Sequence, residues 1–148
     1  MIALDTSLLV YAHRPESPFH ADAAALLSEL ANGASRWAIA WPCIHEFLSV
    51  VTHLRIYKEP TPLADALESV RSLQESPSLE LLSEGDGYFA GLAEIALAAR
   101  IQGPPRIHAA RIAAICRYHG VRELWSADRG FSRFPGLNVR NPLLQKPP

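Results

Sequence analysis

Hydrophobic positions along the chain fall into short solid runs that alternate with longer stretches of helical period. The run Met1-Ile2-Ala3-Leu4 ends in Asp5 and predicts a first strand. Residues 7–11 predict a short helical turn, broken by Arg14-Pro15-Glu16-Ser17-Pro18. Ser17 is a suitable N-cap with Pro18 in the first helical position, and Ala21, Ala24, Ala25, Leu27 and Leu30 carry a helix to Asn32-Gly33. Trp37-Ala38-Ile39-Ala40 is too short for a helix and follows a glycine turn, so it predicts a second strand. Pro42 opens a helix whose stripe of Ile44, Phe47, Leu48, Val51 and Leu54 marks one buried face, with Glu46 pointing away from it.

Thr61 and Pro62 start another helix, and Leu63, Leu67, Val70 and Leu73 repeat there at the spacing of a core stripe. Leu79-Glu80-Leu81-Leu82 predicts a third strand. Residues 88–101 form an alanine-rich helix capped by Asp86. Gly103-Pro104-Pro105 leads into a helix over 106–118, stopped by Gly120. Residues 123–126 give a fourth strand, 131–134 a turn and 137–139 a short fifth strand. Strands alternating with helices long enough to act as crossovers predict an α/β fold with three layers: a central parallel sheet of four to five strands and helices on both faces. Residues 1–144 make one undivided domain, and 145–148 a frayed tail.

With 148 residues, 49% of them hydrophobic, the chain can bury one real core. Its 14 basic and 15 acidic side chains nearly cancel, so a nucleic-acid partner has to be met by a local patch. Cys43 and Cys116 sit inside apolar segments and read as buried thiols. Such sparse cysteine, with no signal peptide, predicts a cytoplasmic protein. No apolar stretch reaches the ~20 residues a membrane span needs.

Neither G-x-G-x-x-G nor G-x-x-x-x-G-K occurs, which argues against dinucleotide and nucleoside triphosphate sites. No H-E-x-x-H helix occurs either, and His45 and His53 on one helix are a weak zinc signal. The remaining chemistry lies in Asp5, Glu46 and Asp128. Asp5 and Asp128 each follow a predicted strand, and in an open parallel sheet side chains just past strand ends converge at the ligand crevice. Each acid also has a structural reading: Asp5 as a helix cap, Glu46 as an exposed glutamate favoured by a helix dipole, and Asp128 as a turn residue. Oxygen-only ligands suit a hard cation such as Mg²⁺ or Mn²⁺, which sharpens a water into a nucleophile and neutralises phosphate charge. Without the ion, convergent acids repel one another.

Four ordered segments resemble one known family. Ile2-Ala3-Leu4-Asp5-Thr6-Ser7, Pro42-Cys43-Ile44-His45-Glu46-Phe47, Ala110-Arg111-Ile112-Ala113-Ala114 and Leu124-Trp125-Ser126-Ala127-Asp128-Arg129-Gly130-Phe131 look like a PIN domain, most like the VapC-type toxins of bacterial toxin-antitoxin pairs. The resemblance implies a Mg²⁺- or Mn²⁺-dependent endoribonuclease that cuts structured RNA such as tRNA or rRNA and is neutralised by a VapB-type antitoxin. By position, Asp5 and Asp128 become metal ligands and Glu46 a further catalytic acid. Thr6 and Ser7 bond nearby backbone or phosphate, and Ser126 supplies the orienting hydroxyl. Arg14, Arg111, Arg129 and Arg133 are the RNA-binding candidates. The antitoxin is expected on the helices after Pro18 and Pro42, with Phe19 and Trp41 as groove candidates, and a homodimer is expected because such proteins commonly form one.

Two positions depart from the family pattern. His108-Ala109-Ala110 stands where the family normally reads His-Asp-Ala, so the expected acid is missing at Ala109, and Gly130 stands where a second late acid is common. The loss suits either a substitution made so that a toxic enzyme can be produced or a natural decay of activity. One residue along a helix is a rotation of about 100°, so His108 is expected to point elsewhere. Weakened metal binding and turnover follow. The competing functions are a catalytically inactive PIN module that binds RNA or antitoxin, and a metal-dependent phosphohydrolase acting on a small molecule.

Overall fold

In the computed structural model, which describes residues 1–144, five strands form one sheet. They are β1 (Ile2–Leu4), β2 (Trp37–Ala40), β3 (Leu79–Leu82), β4 (Glu123–Trp125) and β5 (Asn138–Arg140). Six helices join them: α1 (Thr6–His13), α2 (His20–Asn32), α3 (Trp41–Val51), α4 (Leu63–Gln74), α5 (Tyr88–Ala98) and α6 (Arg106–Tyr118). The strand order is β3-β2-β1-β4-β5 and every neighbouring pair is parallel. All four residues of β2 are buried. Successive strand side chains point to opposite faces, so helices must cover both. The expected three-layer α/β architecture is therefore present. The expected tail at 145–148 lies outside the described residues.

The order of the strands fixes where a ligand can sit. The chain runs from β1 outward to β2 and β3, then returns to place β4 on the other side of β1. The gap at the carboxyl ends of β1 and β4 is thus the topological switch point, where parallel sheets open a crevice. Leu4 is in register with Trp125, and Asp5 N–H donates to Trp125 O at 2.9 Å, so the residues just past the two strands start side by side.

Several element boundaries differ from the sequence expectation, each for a local reason. The second helix begins at His20 rather than Pro18, because Ser17 Oγ accepts the Phe19 N–H at 3.1 Å and closes a small turn instead of capping a helix. Helix α3 stops at Val51: Thr61 N–H takes the Val51 carbonyl at 2.8 Å, and Leu54, expected in the stripe, is 81% exposed. In α4 the buried residues are Ala66 and Val70, while Leu63 and Leu67 are exposed. The small Ala66 lets the helix lie close to the core, a face that counting large apolar residues misses. Asp86 does not cap α5; Gly87 holds that position at φ +84°, a left-handed conformation that favours glycine. The same helix ends at Ala98. Gly120, at φ +68°, follows α6 as expected. No helix among the described residues is long and apolar enough to cross a membrane.

Candidate active site

Asp5 leaves β1 and caps α1, so its backbone belongs to the strand end and its carboxylate to the first helical turn. Its Oδ2 accepts from Ser126 Oγ at 2.7 Å and Ser7 Oγ at 3.1 Å, while Oδ1 has the Cys43 thiol at 3.8 Å. The residue is only 4% exposed. Burial pushes the carboxyl pKa above the ordinary aspartate value, and the bonds from Ser126, Thr6 and Ser7 pull against that rise. The hydroxyls also stitch the two strand ends together. Ser7 Oγ accepts the Ala127 N–H at 3.0 Å, and Ser126 Oγ accepts the Asp128 N–H at 3.0 Å.

Asp128 caps a 3-10 turn over Arg129–Arg133, its Oδ1 accepting the Gly130 N–H at 2.7 Å. Its Oδ2 carries no hydrogen bond among the described residues. A Cβ on Gly130 would stand 3.0 Å from Asp128 Oδ1, so glycine leaves this carboxylate undisturbed where a side chain would displace it.

Glu46 lies on α3, off the buried Ile44, Phe47 and Val51 face as expected, and its Oε2 accepts from Thr6 Oγ1 at 3.0 Å. Desolvation pushes its carboxyl pKa up first. The Thr6 bond opposes this, Asp5 and Asp128 add to the rise, and His108 counters it. Glu46 therefore feels the charge of both aspartates, though the three acids stand apart in sequence. They line a single cleft of about 850 Å³ that opens at the carboxyl ends of β1 and β4.

The opposite wall is the start of α6. Pro105, His108, Ala109 and Ile112 recur on one helical face and all line the cleft. Ala109 is half-buried there, with a methyl group at the position where the resemblance leads one to expect an acid. His108 does not point elsewhere, contrary to expectation: the first turn of α6 forms the cleft's lip, and a long side chain reaches the opening from either neighbouring position.

The arginine candidates separate. Arg111 and Arg133 line the cleft, but Arg111 is paired with Glu84. Arg129 is exposed and outside the lining. Arg14 is buried, with its guanidinium bonded to Glu16 at 2.5 Å, Thr61 at 3.0 Å and Glu59 O at 2.8 Å, and stacked 4.1 Å from the Tyr57 ring centre. It ties the loop before α4 to the loop after α1, and its donors are used within the chain. Arg106 and His45 line the cleft too; Arg106 sits in no motif, and His45, weighed in the sequence only as a weak zinc signal, was given no place in the cleft. The ring of Trp41 stacks on His45 at 6.1 Å, and Phe19 remains 38% exposed.

The cysteines are buried free thiols, as expected, and burial pushes Cys116 up to about 12. His53 lies beyond the end of α3 and bonds the Arg55 N–H, so the two histidines are not ligands on one helix. Among the described residues no three acidic, imidazole or thiol groups gather closely enough to enclose an ion. The acids flank the cleft without closing on it. All-oxygen donors in that arrangement fit a hard divalent cation that keeps several of its waters, with Asp5 and Asp128 supplying the charge.

Fold and site together define a class: a parallel α/β domain with an acid-lined cleft at its topological switch point. The PIN domain family model matches residues 2–137, and the chain belongs to that family. Ribonuclease VapC43 of Mycobacterium tuberculosis is 35% identical over 143 residues, covering 97% of this chain and 96% of that protein. Ribonuclease VapC48 of the same species is 29% identical over 139 residues, 94% and 95% of the two chains. Among solved structures, VapBC2 from Rickettsia felis, bound to a DNA fragment from its promoter, superposes with a TM-score of 0.66 at 18% identity, covering 95% of this chain and 98% of that one. M. tuberculosis VapC20, described as a sarcin-ricin loop cleaving toxin, gives 0.62 at 16% identity over 89% and 93%.

Proposed function

We propose that this chain is a VapC-type endoribonuclease toxin that cuts structured RNA such as tRNA or rRNA with Mg²⁺ or Mn²⁺. In this reading it acts in the cytoplasm as a homodimer, is neutralised by a VapB-type antitoxin, and is weakened by the alanine at position 109. The observation that carries the reading is the meeting of Asp5, Glu46 and Asp128 around one cleft, with the Glu46 carboxyl responding to both aspartates. Relatives named as ribonucleases over nearly the whole length support it.

Asp5 and Asp128 would hold the metal, which when bound supplies charge for the scissile phosphate and an acidified water. The residues' own work is positional. Ser126 and Ser7 fix Oδ2 of Asp5, which leaves Oδ1, met only by the Cys43 thiol at 3.8 Å, for binding. Thr6 holds Glu46 by one oxygen, so the other is free to take a proton from water in the cleft. The elevated pKa of Glu46 brings that carboxyl closer to neutral pH, which suits proton transfer. RNA would lie across the strand ends, its phosphates met by cleft arginines.

A second reading, an inactive PIN module that binds RNA or antitoxin, is favoured by one specific observation: Ala109 faces the cleft with no carboxylate to replace it. Cleavage of tRNA and rRNA fragments by the natural chain and by Ala109→Asp, with Mg²⁺, Mn²⁺ or EDTA, separates the two. The toxin reading expects Ala109→Asp to cut at least about tenfold faster, in proportion to tighter metal binding. Metal-independent RNA binding with no cutting by either protein hands the case to the binding module.

A further inference from the structure

The acids occupy one end of the cleft, and most of its remaining wall has no role in the reading above. Ser7, Val10 and Tyr11 project from one face of α1, and all three line the cleft. Ser7 touches Asp5, and Tyr11 lies one turn further on, about 6 Å along the helix axis. The Tyr11 ring packs against Phe19 with centroids 5.3 Å apart and planes tilted by 39°. Its carbonyl accepts from His20 Nδ1 at 3.0 Å, which ties the end of α1 to the start of α2. The aromatic surface is thus fixed before anything binds, so little ordering cost falls on association.

The start of α6 brings Arg106 to the cleft and the 3-10 turn capped by Asp128 brings Arg133, neither with an ion-pair partner among the described residues. A cleft of about 850 Å³ has room for far more than a hydrated ion. An aromatic platform, two unpaired guanidinium groups and an acid end spaced by one helical turn match the parts of a nucleotide strand: base, flanking phosphates and metal-bound phosphate. We propose that Tyr11 is a nucleobase-stacking residue for an unpaired loop nucleotide next to the phosphate held at the acids, with Arg106 and Arg133 taking the phosphates beside it. This rests on the ribonuclease reading and deepens it.

The test uses the natural chain in EDTA, where binding is read without cutting, and a stem-loop RNA carrying 2-aminopurine at each loop position in turn. Stacking quenches the probe. One loop position is expected to be quenched by the natural chain and by Tyr11→Phe, with similar affinities. Tyr11→Leu keeps the apolar packing on Phe19 but has no π face. It is expected to lose the quench and to bind about 5- to 100-fold more weakly. Arg106→Gln is expected to keep the quench and to lower both the affinity and its salt dependence. A Tyr11→Leu protein that binds as tightly as the natural chain, quench intact, overturns the role of Tyr11 and leaves the ribonuclease reading standing. A natural chain that binds no RNA either in EDTA or with Mg²⁺ overturns both.

Discussion

The two walls of the cleft are built by different rules. On the β1–β4 side the polar groups are interlocked: Ser126 and Ser7 hold Asp5, Ser7 also accepts Ala127, Ser126 also accepts Asp128, and Thr6 holds Glu46. On the α6 side Ala109 offers a methyl group, Arg106 has no ion-pair partner among the described residues, and Arg111 is drawn off by Glu84. The comparison separates scaffold from charge. The network on the β1–β4 wall does not depend on the side chain at position 109, because none of its hydrogen bonds runs through Ala109. The acid cradle is therefore preorganised whatever α6 presents to it.

The sharpest way to break the comparison is Asp5→Asn. Most of the divalent-metal affinity should vanish, measured by calorimetry, and RNA cleavage by the natural chain or by Ala109→Asp should fall by about 100-fold or more. Stability should move the other way. Burial is the largest influence on the Asp5 pKa and disfavours its charged form, so the neutral amide should raise stability in EDTA at neutral pH. A variant that loses both metal binding and stability would mean that the hydroxyl bonds, rather than desolvation, dominate the cradle.

The next largest effect is on pH dependence without metal. Asp5 and Glu46 both have folded-state pKa values above their ordinary ones, so the native chain holds more protons than the unfolded chain between the ordinary and the raised values. Their contribution to stability is therefore greatest below the unfolded pKa and is lost as pH rises through the folded pKa. Exposed Glu16 and Glu84, whose values are lowered, pull oppositely, so the measurement is the difference between the natural chain and Asp5→Asn in urea unfolding from acid to neutral pH. The natural chain should lose ground to the variant as pH rises, and added Mg²⁺ should close the gap. A gap that stays constant across the titration sinks the claim that these acids are strained.

Much of this wall was legible in the sequence because it is made of residues at strand ends. A solid apolar run followed by an acid marks both the strand and its useful end, which is how Asp5 and Asp128 could be named from the residues, whereas Ser126 came only with the resemblance to a family. The switch point then brings together what the chain separates by more than a hundred residues. Glu46 was legible as an acid off the apolar stripe of a helix and as one of three acids suited to a hard cation, and the resemblance to a family added its catalytic role. The α6 wall was legible chiefly by what it lacks. His108 and Arg106 reach the cleft because helix α6 starts at its lip, and that follows from how the helix is docked, which helical period does not encode. Arg14 misled for the same reason. An arginine in a Pro-rich turn reads as solvent-facing, yet the loop before α4 folds over it. The misplaced helix start at Pro18 and the Leu63 stripe share a cause: a serine that closed a turn and an alanine that carried the packing, both small residues whose role depends on their neighbours.

The smallest effect probes the α6 wall through Glu84. The Arg111–Glu84 pair is about one-third exposed on both sides, so Glu84→Gln should change stability by less than ~1 kcal/mol. The neighbouring guanidinium holds the Glu84 carboxyl below its ordinary pKa, so the pair's small contribution is present above the unfolded carboxyl pKa and fades as pH falls through the folded one. Releasing Arg111 adds a free cation to a cleft already lined by Arg106 and Arg133. Affinity for a stem-loop RNA in EDTA should then rise about two- to threefold at low salt, with a steeper salt dependence. The alternative is that Glu84 presents Arg111 to the cleft rather than withdrawing it. In that case affinity falls in Glu84→Gln, and it falls no further when Arg111→Gln is added, because the two side chains then act as one unit.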